Sequence, residues 1–152
     1  MHTCRYGTIT PVIDRLRGRR DPARQARLRA AAAGVDRELA ANLELAAMFD
    51  QTHQAVVFEN GEFARYRALL ATEIPDAFAA LADVYERIPA TESAMERRGP
   101  ANSLRPEDRV LIESWEGDLR DAQRSLRAAA ADPSSRWSRL VARLREGRRT
   151  GR

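Results

Sequence analysis

The sequence predicts an all-α fold, a single-domain bundle of about four to six helices in which two long helices form the core pair. Two patterns carry that prediction. Apolar residues recur at alternating spacings of four and three over two long stretches, and capping residues followed by proline mark where helices begin.

The punctuation is repeated along the chain. Thr10–Pro11, Asp21–Pro22 and Asp132–Pro133 each set a good N-cap before a proline at the first helical position, where its missing N–H costs nothing. Pro106 is followed by Glu107 and Asp108, whose charges suit the positive end of a helix dipole.

The stretch 22–52 has the strongest seam: Leu28, Ala32, Val35, Leu39, Asn42, Ala46 and Phe49, widened by Leu43 and Leu45. The stretch 106–131 repeats it with Leu111, Trp115, Leu119, Ala122, Leu126 and Ala129. Phe49, Leu39, Trp115 and Leu119 are therefore expected in one shared cluster. Gly117, inside the second helix at a cost of about 1 kcal/mol, suggests a close crossing with a neighbouring backbone.

Residues 61–88 read as two shorter helices, or as one helix broken near Pro75. Phe63, Tyr66, Leu69 and Leu70 form one face, and Phe78, Leu81, Val84, Tyr85 and Ile88 the other. Thr91 followed by Glu92, Ala94, Met95 and Glu96 predicts a further short helix closed by Gly99–Pro100. A last helix over 134–147 carries a stripe of Trp137, Leu140, Val141 and Leu144, whose commonest fate is docking on the bundle rather than on a membrane surface or a partner's groove.

One passage departs from helical patterning. Residues 55–63 contain Val56, Val57 and Phe58 followed by Asn60–Gly61, a hairpin signal. The competing reading is an extended apolar linker with Asn60 capping the next helix. The linker is preferred, because an isolated two-stranded hairpin is marginal in water.

Composition bounds the rest. A length of 152 residues fits one domain spanning 1–152, with flexible ends expected at about 1–9 and 148–152. Such a domain buries about 68–70% of the surface its unfolded chain exposes. The hydrophobic share, 43%, is rich in alanine and predicts slender helices around a thin core. One cysteine, Cys4, excludes an internal disulfide and fits a reducing compartment. No apolar run reaches the ~18–20 residues of a membrane span, and no apolar signal core opens the chain. The expected location is cytoplasmic.

All 26 basic residues are arginine, and their placement is uneven. Residues 1–29 carry eight arginines against Asp14 and Asp21, and residues 136–152 carry seven against Glu146. The stretch between holds eleven arginines and nineteen carboxylates, so basic ends flank an acidic middle.

Catalytic constellations are sparse in this framework. Asp50 and His53, three apart on a helix, match half of a di-metal bundle site, but the other histidine is His2, and no second carboxylate–histidine pair exists. Glu113 and Glu116 would add only oxygen ligands. Cys4 beside Arg5 has no evident base, and no glycine-rich phosphate loop occurs. The sequence assigns no catalytic residue, no metal ligand and no cofactor.

Two surfaces remain. The connection 91–106 is long for a compact bundle and rich in polar side chains, so Glu92, Glu96, Arg97, Arg98, Asn102, Ser103 and Arg105 form a candidate interaction surface. The alternative is an ordered loop in which Arg97 and Arg98 satisfy helix-terminal carbonyls. Arg15, Arg17, Arg19, Arg20 and Arg24 are candidate phosphate contacts, should the bundle bring the two basic ends together; the alternative is that they pair with the acidic middle of the same or another copy. The leading functional expectation is a non-enzymatic protein–protein interaction or structural protein, its own copies included among its partners. A nucleic-acid-associated protein is second, and a metal-dependent helical-bundle enzyme third.

Overall fold

The computed structural model describes residues 21–98 and 103–131, and among these the only regular elements are four α-helices. They are α1 (Pro22–Thr52), α2 (Gly61–Glu73), α3 (Pro75–Glu96) and α4 (Pro106–Ala131). The helices predicted after Pro11 and over 134–147, with the Trp137 stripe, lie outside the described residues, as do the expected flexible ends.

Helix α1 begins where its sequence indicates, with the Asp21 carboxylate accepting the Ala23 N–H at 3.0 Å. It ends at His53, which takes the left-handed conformation (φ 59°) while its N–H donates to the Phe49 carbonyl at 2.7 Å. His53 is thus a helix cap, and Asp50 and His53 do not share a helical face as the spacing alone suggests.

The chain then runs without regular structure from Gln54 to Asn60. The linker reading holds and the hairpin does not form. Val56 and Phe58 are buried while Ala55, Val57 and Glu59 face outward, the alternation of an extended chain. This segment descends beside α1 from the level of His53 to that of Asn42, about 15 Å along the helix axis. It completes, with α2, the second leg of the bundle.

Ile74 separates α2 from α3, so of the two readings of 61–88 the broken one is found, at Pro75. The separate short helix expected from Thr91 does not exist. α3 continues through Pro89 to Glu96. Proline removes one N–H bond from the helix interior, but Pro89 sits on the exposed side, and buried Thr91 in the following turn donates its hydroxyl to the Arg87 carbonyl at 3.0 Å.

Each helix packs on two others: α1 on α2 and α4, α3 on α2 and α4. Ion pairs fix their directions. Arg97 meets Asp108 and Arg87 meets Asp118, so α3 and α4 are antiparallel. Arg98 reaches His53 at the top of α1, while Arg127 meets Asp36 lower down, so α1 and α4 are also antiparallel. The topology is up–down–up–down, and the start of α1 and the finish of α4 lie at the same end.

The core is one cluster holding Leu28, Val35, Leu39, Phe49, Leu70, Leu81, Trp115, Leu119 and Leu126 among others. Every residue of the α1 seam is buried. Phe58 lies against Trp115 with ring centroids 5.3 Å apart, and Phe63 stacks on Tyr85 at 4.1 Å. Gly117 is not a close crossing: it is exposed, and a Cβ built there meets nothing within 4 Å.

Candidate functional site

The buried polar groups hold the extended segment and the start of α2. Asn42, fully buried in the α1 seam, uses both halves of its amide on one residue: its Nδ2 donates to the Glu59 carbonyl at 2.8 Å, and its Oδ1 accepts the Glu59 N–H at 2.7 Å. Glu92 of α3 accepts the Phe58 N–H at 2.7 Å from the opposite side. Two helices thereby substitute side chains for a neighbouring strand, because an unpaired buried backbone group costs about as much as a lost hydrogen bond.

Glu38, one helical turn below Asn42 and 3% exposed, caps α2 from a different helix. Its carboxylate accepts the N–H groups of Glu62 (2.6 Å) and Phe63 (3.0 Å) and the Tyr85 hydroxyl (2.7 Å). Asn60, expected to cap α2 with its own side chain, makes no such bond. Burial, reinforced by the hydrogen bond to Glu38, pushes the Tyr85 phenol far above its ordinary range. Trp115 is the exception: its buried indole N–H has no acceptor among the described residues.

The 91–106 surface is therefore smaller than the sequence suggests. Glu92 and Glu96 are helical, and Glu92 is committed to Phe58. Arg97 grips the buried Asp108 carboxylate with two guanidinium nitrogens, and that hydrogen bonding holds the Asp108 carboxyl below the usual carboxylate range. Arg98 lies over the Phe49 ring at 5.1 Å and contacts His53 Nδ1 at 2.9 Å. Of the two arginines expected at helix-terminal carbonyls, Arg97 instead directs its guanidinium to the Asp108 carboxylate. Ser103 and Arg105 are exposed, and Asn102 lies outside the described residues.

Of the candidate phosphate contacts, Arg24 pairs with Glu73 beside a cleft lined by Asp21, Arg27, Leu69 and Thr72. Arg15, Arg17, Arg19 and Arg20 lie outside the described residues. No group of three or more metal-ligating side chains converges among the described residues, and none of their helices is long and apolar enough to cross a membrane.

The unpaired charges reveal an organisation that sequence order alone conceals. Arg65, Arg67, Arg87, Arg97, Arg120, Arg124 and Arg127 all join Arg24 in ion pairs within the bundle. Among the described residues, Glu44, Asp50, Glu59, Glu96, Glu107 and Glu113 make no ion pair and lie in the half containing the end of α1, the end of α3 and the start of α4, where Arg105 and Arg109 also make none; Asp21, at the start of α1, is likewise outside any ion pair. Arg27 and Arg29, also unpaired, lie in the other half, on the first turns of α1, and unpaired Arg37 lies at the midpoint of that helix. Residues 1–20 and 132–152, outside the described residues, hold twelve arginines against Asp14, Asp132 and Glu146.

The fold and this charge separation define a four-legged, up-and-down helical bundle that is electrically polar along its axis. No family model, no curated protein and no solved structure matches the chain.

Proposed function

We propose that this is a non-enzymatic interaction protein whose charged ends bind other proteins, with copies of itself as the first partner. The observation that carries this reading is the axial charge bias among the described residues: six unpaired carboxylates against Arg105 and Arg109 at one end, and unpaired Arg27 and Arg29 against Asp21 at the other. Opposite charges at opposite ends are complementary between molecules but out of reach of each other within one. α1 alone is about 46 Å long, several times the Debye length of ~10 Å at 0.1 M salt. Association of that kind is head-to-tail, so it grows into rings or open chains rather than stopping at a two-fold dimer.

Sedimentation velocity of the intact protein across a salt series tests this. The expected result is a concentration-dependent series of species at low ionic strength that collapses to monomer as salt rises. A single monomer at every salt and concentration, or a salt-insensitive dimer, would overturn the reading.

A further inference from the structure

We infer that the outer face formed by the upper half of α1 and the extended segment 54–60 is the docking site for a basic amphipathic helix of another protein. This goes beyond the self-association above, since the ligand is a different chain and the arginine end takes no part.

The site follows from the unequal lengths of the legs. Gly34 and Glu38 lie on the face of α1 that meets the start of α2: Glu38 accepts the Glu62 and Phe63 N–H groups, and a Cβ on Gly34 would run into the Glu62 carboxylate. Spacings of three and four continue that face upward through Ala41, Leu45 and Met48. α2 begins only at Gly61, near the level of Glu38, so no helix of the described residues stands opposite the continuation. The extended segment runs there instead. Glu59 is level with Asn42, and Val57, about 7 Å higher, comes between the levels of Leu45 and Met48. Met48 is 44% exposed and Val57 79%, two of the three large apolar side chains that the described residues leave in water, and Leu45 is half-buried.

Three features of this face specify its occupant. Its charge is negative. Glu44 stands one turn before Met48 on α1, Glu59 follows Val57 on the outward side of the segment, and neither carboxylate makes an ion pair. The nearest unpaired arginine on α1, Arg37, lies about 10 Å below Glu44. Arginines or lysines flanking an apolar stripe therefore meet complementary charge on both sides, while anionic lipid is repelled. Its backbone is closed, since Glu92 takes the Phe58 N–H and Asn42 takes both polar groups of Glu59. An added strand needs free backbone groups, so the occupant reads side chains, as a helix does. Its apolar span is short: Ala41 to Met48 covers about 10 Å, which two turns of an amphipathic helix match.

Fluorescence anisotropy of two labelled model peptides, titrated with the full chain, tests the inference. Both are helices of about four turns with leucines at spacings of three and four; one carries arginine on its flanks and the other glutamate. The titration is run at a salt concentration where the protein sediments as a monomer, so failure of the self-association reading leaves this test standing. The arginine peptide should saturate a single site per chain, and the glutamate peptide should not bind. Met48→Ser/Val57→Ser should weaken the arginine peptide by about tenfold or more. Glu44→Gln/Glu59→Gln should weaken it less and reduce its salt dependence. Val110→Ser, which removes the third exposed apolar side chain, on α4, should leave the affinity unchanged. Should the double serine variant melt early, Val57→Ser alone, at a side chain almost wholly in water, should still lower the affinity. Equal binding of the two peptides, no binding of the arginine peptide, or an affinity unchanged in a serine variant of parental helicity and melting would each overturn the inference. So would low-salt self-association that is lost in Met48→Ser/Val57→Ser while the arginine peptide stays unbound, which would give the face to a second copy.

Discussion

The side chain of Asn42 and the main chain of Glu59 exchange two hydrogen bonds, the pairing that one strand residue makes with its neighbour, here made by a helix. Asn42→Leu keeps the side chain's bulk but leaves a part-buried N–H and carbonyl unsatisfied. It should cost about 1–3 kcal/mol in denaturant unfolding. It should also speed hydrogen exchange at 56–59 more than in α4. An unchanged unfolding midpoint would show that the segment does not rely on α1.

Tyr85 donates to the buried Glu38 carboxylate, and its phenol is held protonated well above the ordinary value of about 10. A raised native value means that the folded state keeps a proton the unfolded state releases. The associated stability is complete below about pH 10 and lost as pH rises beyond it. Tyr85→Phe should cost about 1.5–3 kcal/mol at neutral pH, the range for a hydrogen bond to a charged group. It should also lessen the alkaline loss of stability. Equal alkaline slopes in the two proteins would contradict this.

Asp108 shows the opposite sign. Its carboxyl is depressed, first by the Arg97 hydrogen bond, so its contribution is present above the ordinary carboxylate value and is lost as pH falls through the lower native one. Asp108→Asn should lower the melting temperature at pH 7. The gap from the parent protein should narrow only below about pH 4. A gap that narrows already between pH 7 and 5 would assign the effect to another group.

Gly117 lies on an exposed helical face with open space around it. Gly117→Ala should stabilise the protein by about 0.4–1 kcal/mol through the unfolded chain's lost freedom and the better helix propensity. Destabilisation would mean that the surface is occupied by a partner or by another part of the chain.

Much of the fold was legible in the sequence. The α1 seam is buried throughout, and Phe49, Leu39, Trp115 and Leu119 share one cluster, because spacings of three and four leave few other ways to bury a long helix. Glu38 was missed, although it falls on the apolar face between Val35 and Leu39, where a carboxylate requires donors. Those donors lie 24 to 47 residues away, on elements whose position the local pattern does not encode. Gly117 misled for a related reason: a glycine inside a helix suggests a close approach only as long as its exposed side is unknown. The candidate site was half legible. Basic ends and an acidic middle are visible in the chain order, but the antiparallel legs that set Arg27 and Arg29 at the end opposite Glu44, Glu96 and Glu107 depend on pairs such as Arg127–Asp36 and Arg98–His53.

The central claim, association between unlike ends, is tested most directly by mixing two variants that each lack one end. Arg27→Gln/Arg29→Gln weakens the arginine end, and Glu44→Gln/Glu107→Gln/Glu113→Gln weakens the acidic end. In low-salt sedimentation each should be largely monomeric alone, since neither retains both surfaces. Their mixture should form a one-to-one dimer that grows no further, joined by the arginine end of the carboxylate variant and the acidic end of the arginine variant. A mixture that remains monomeric while the parent protein associates, or either variant associating alone as fully as the parent, would contradict the account.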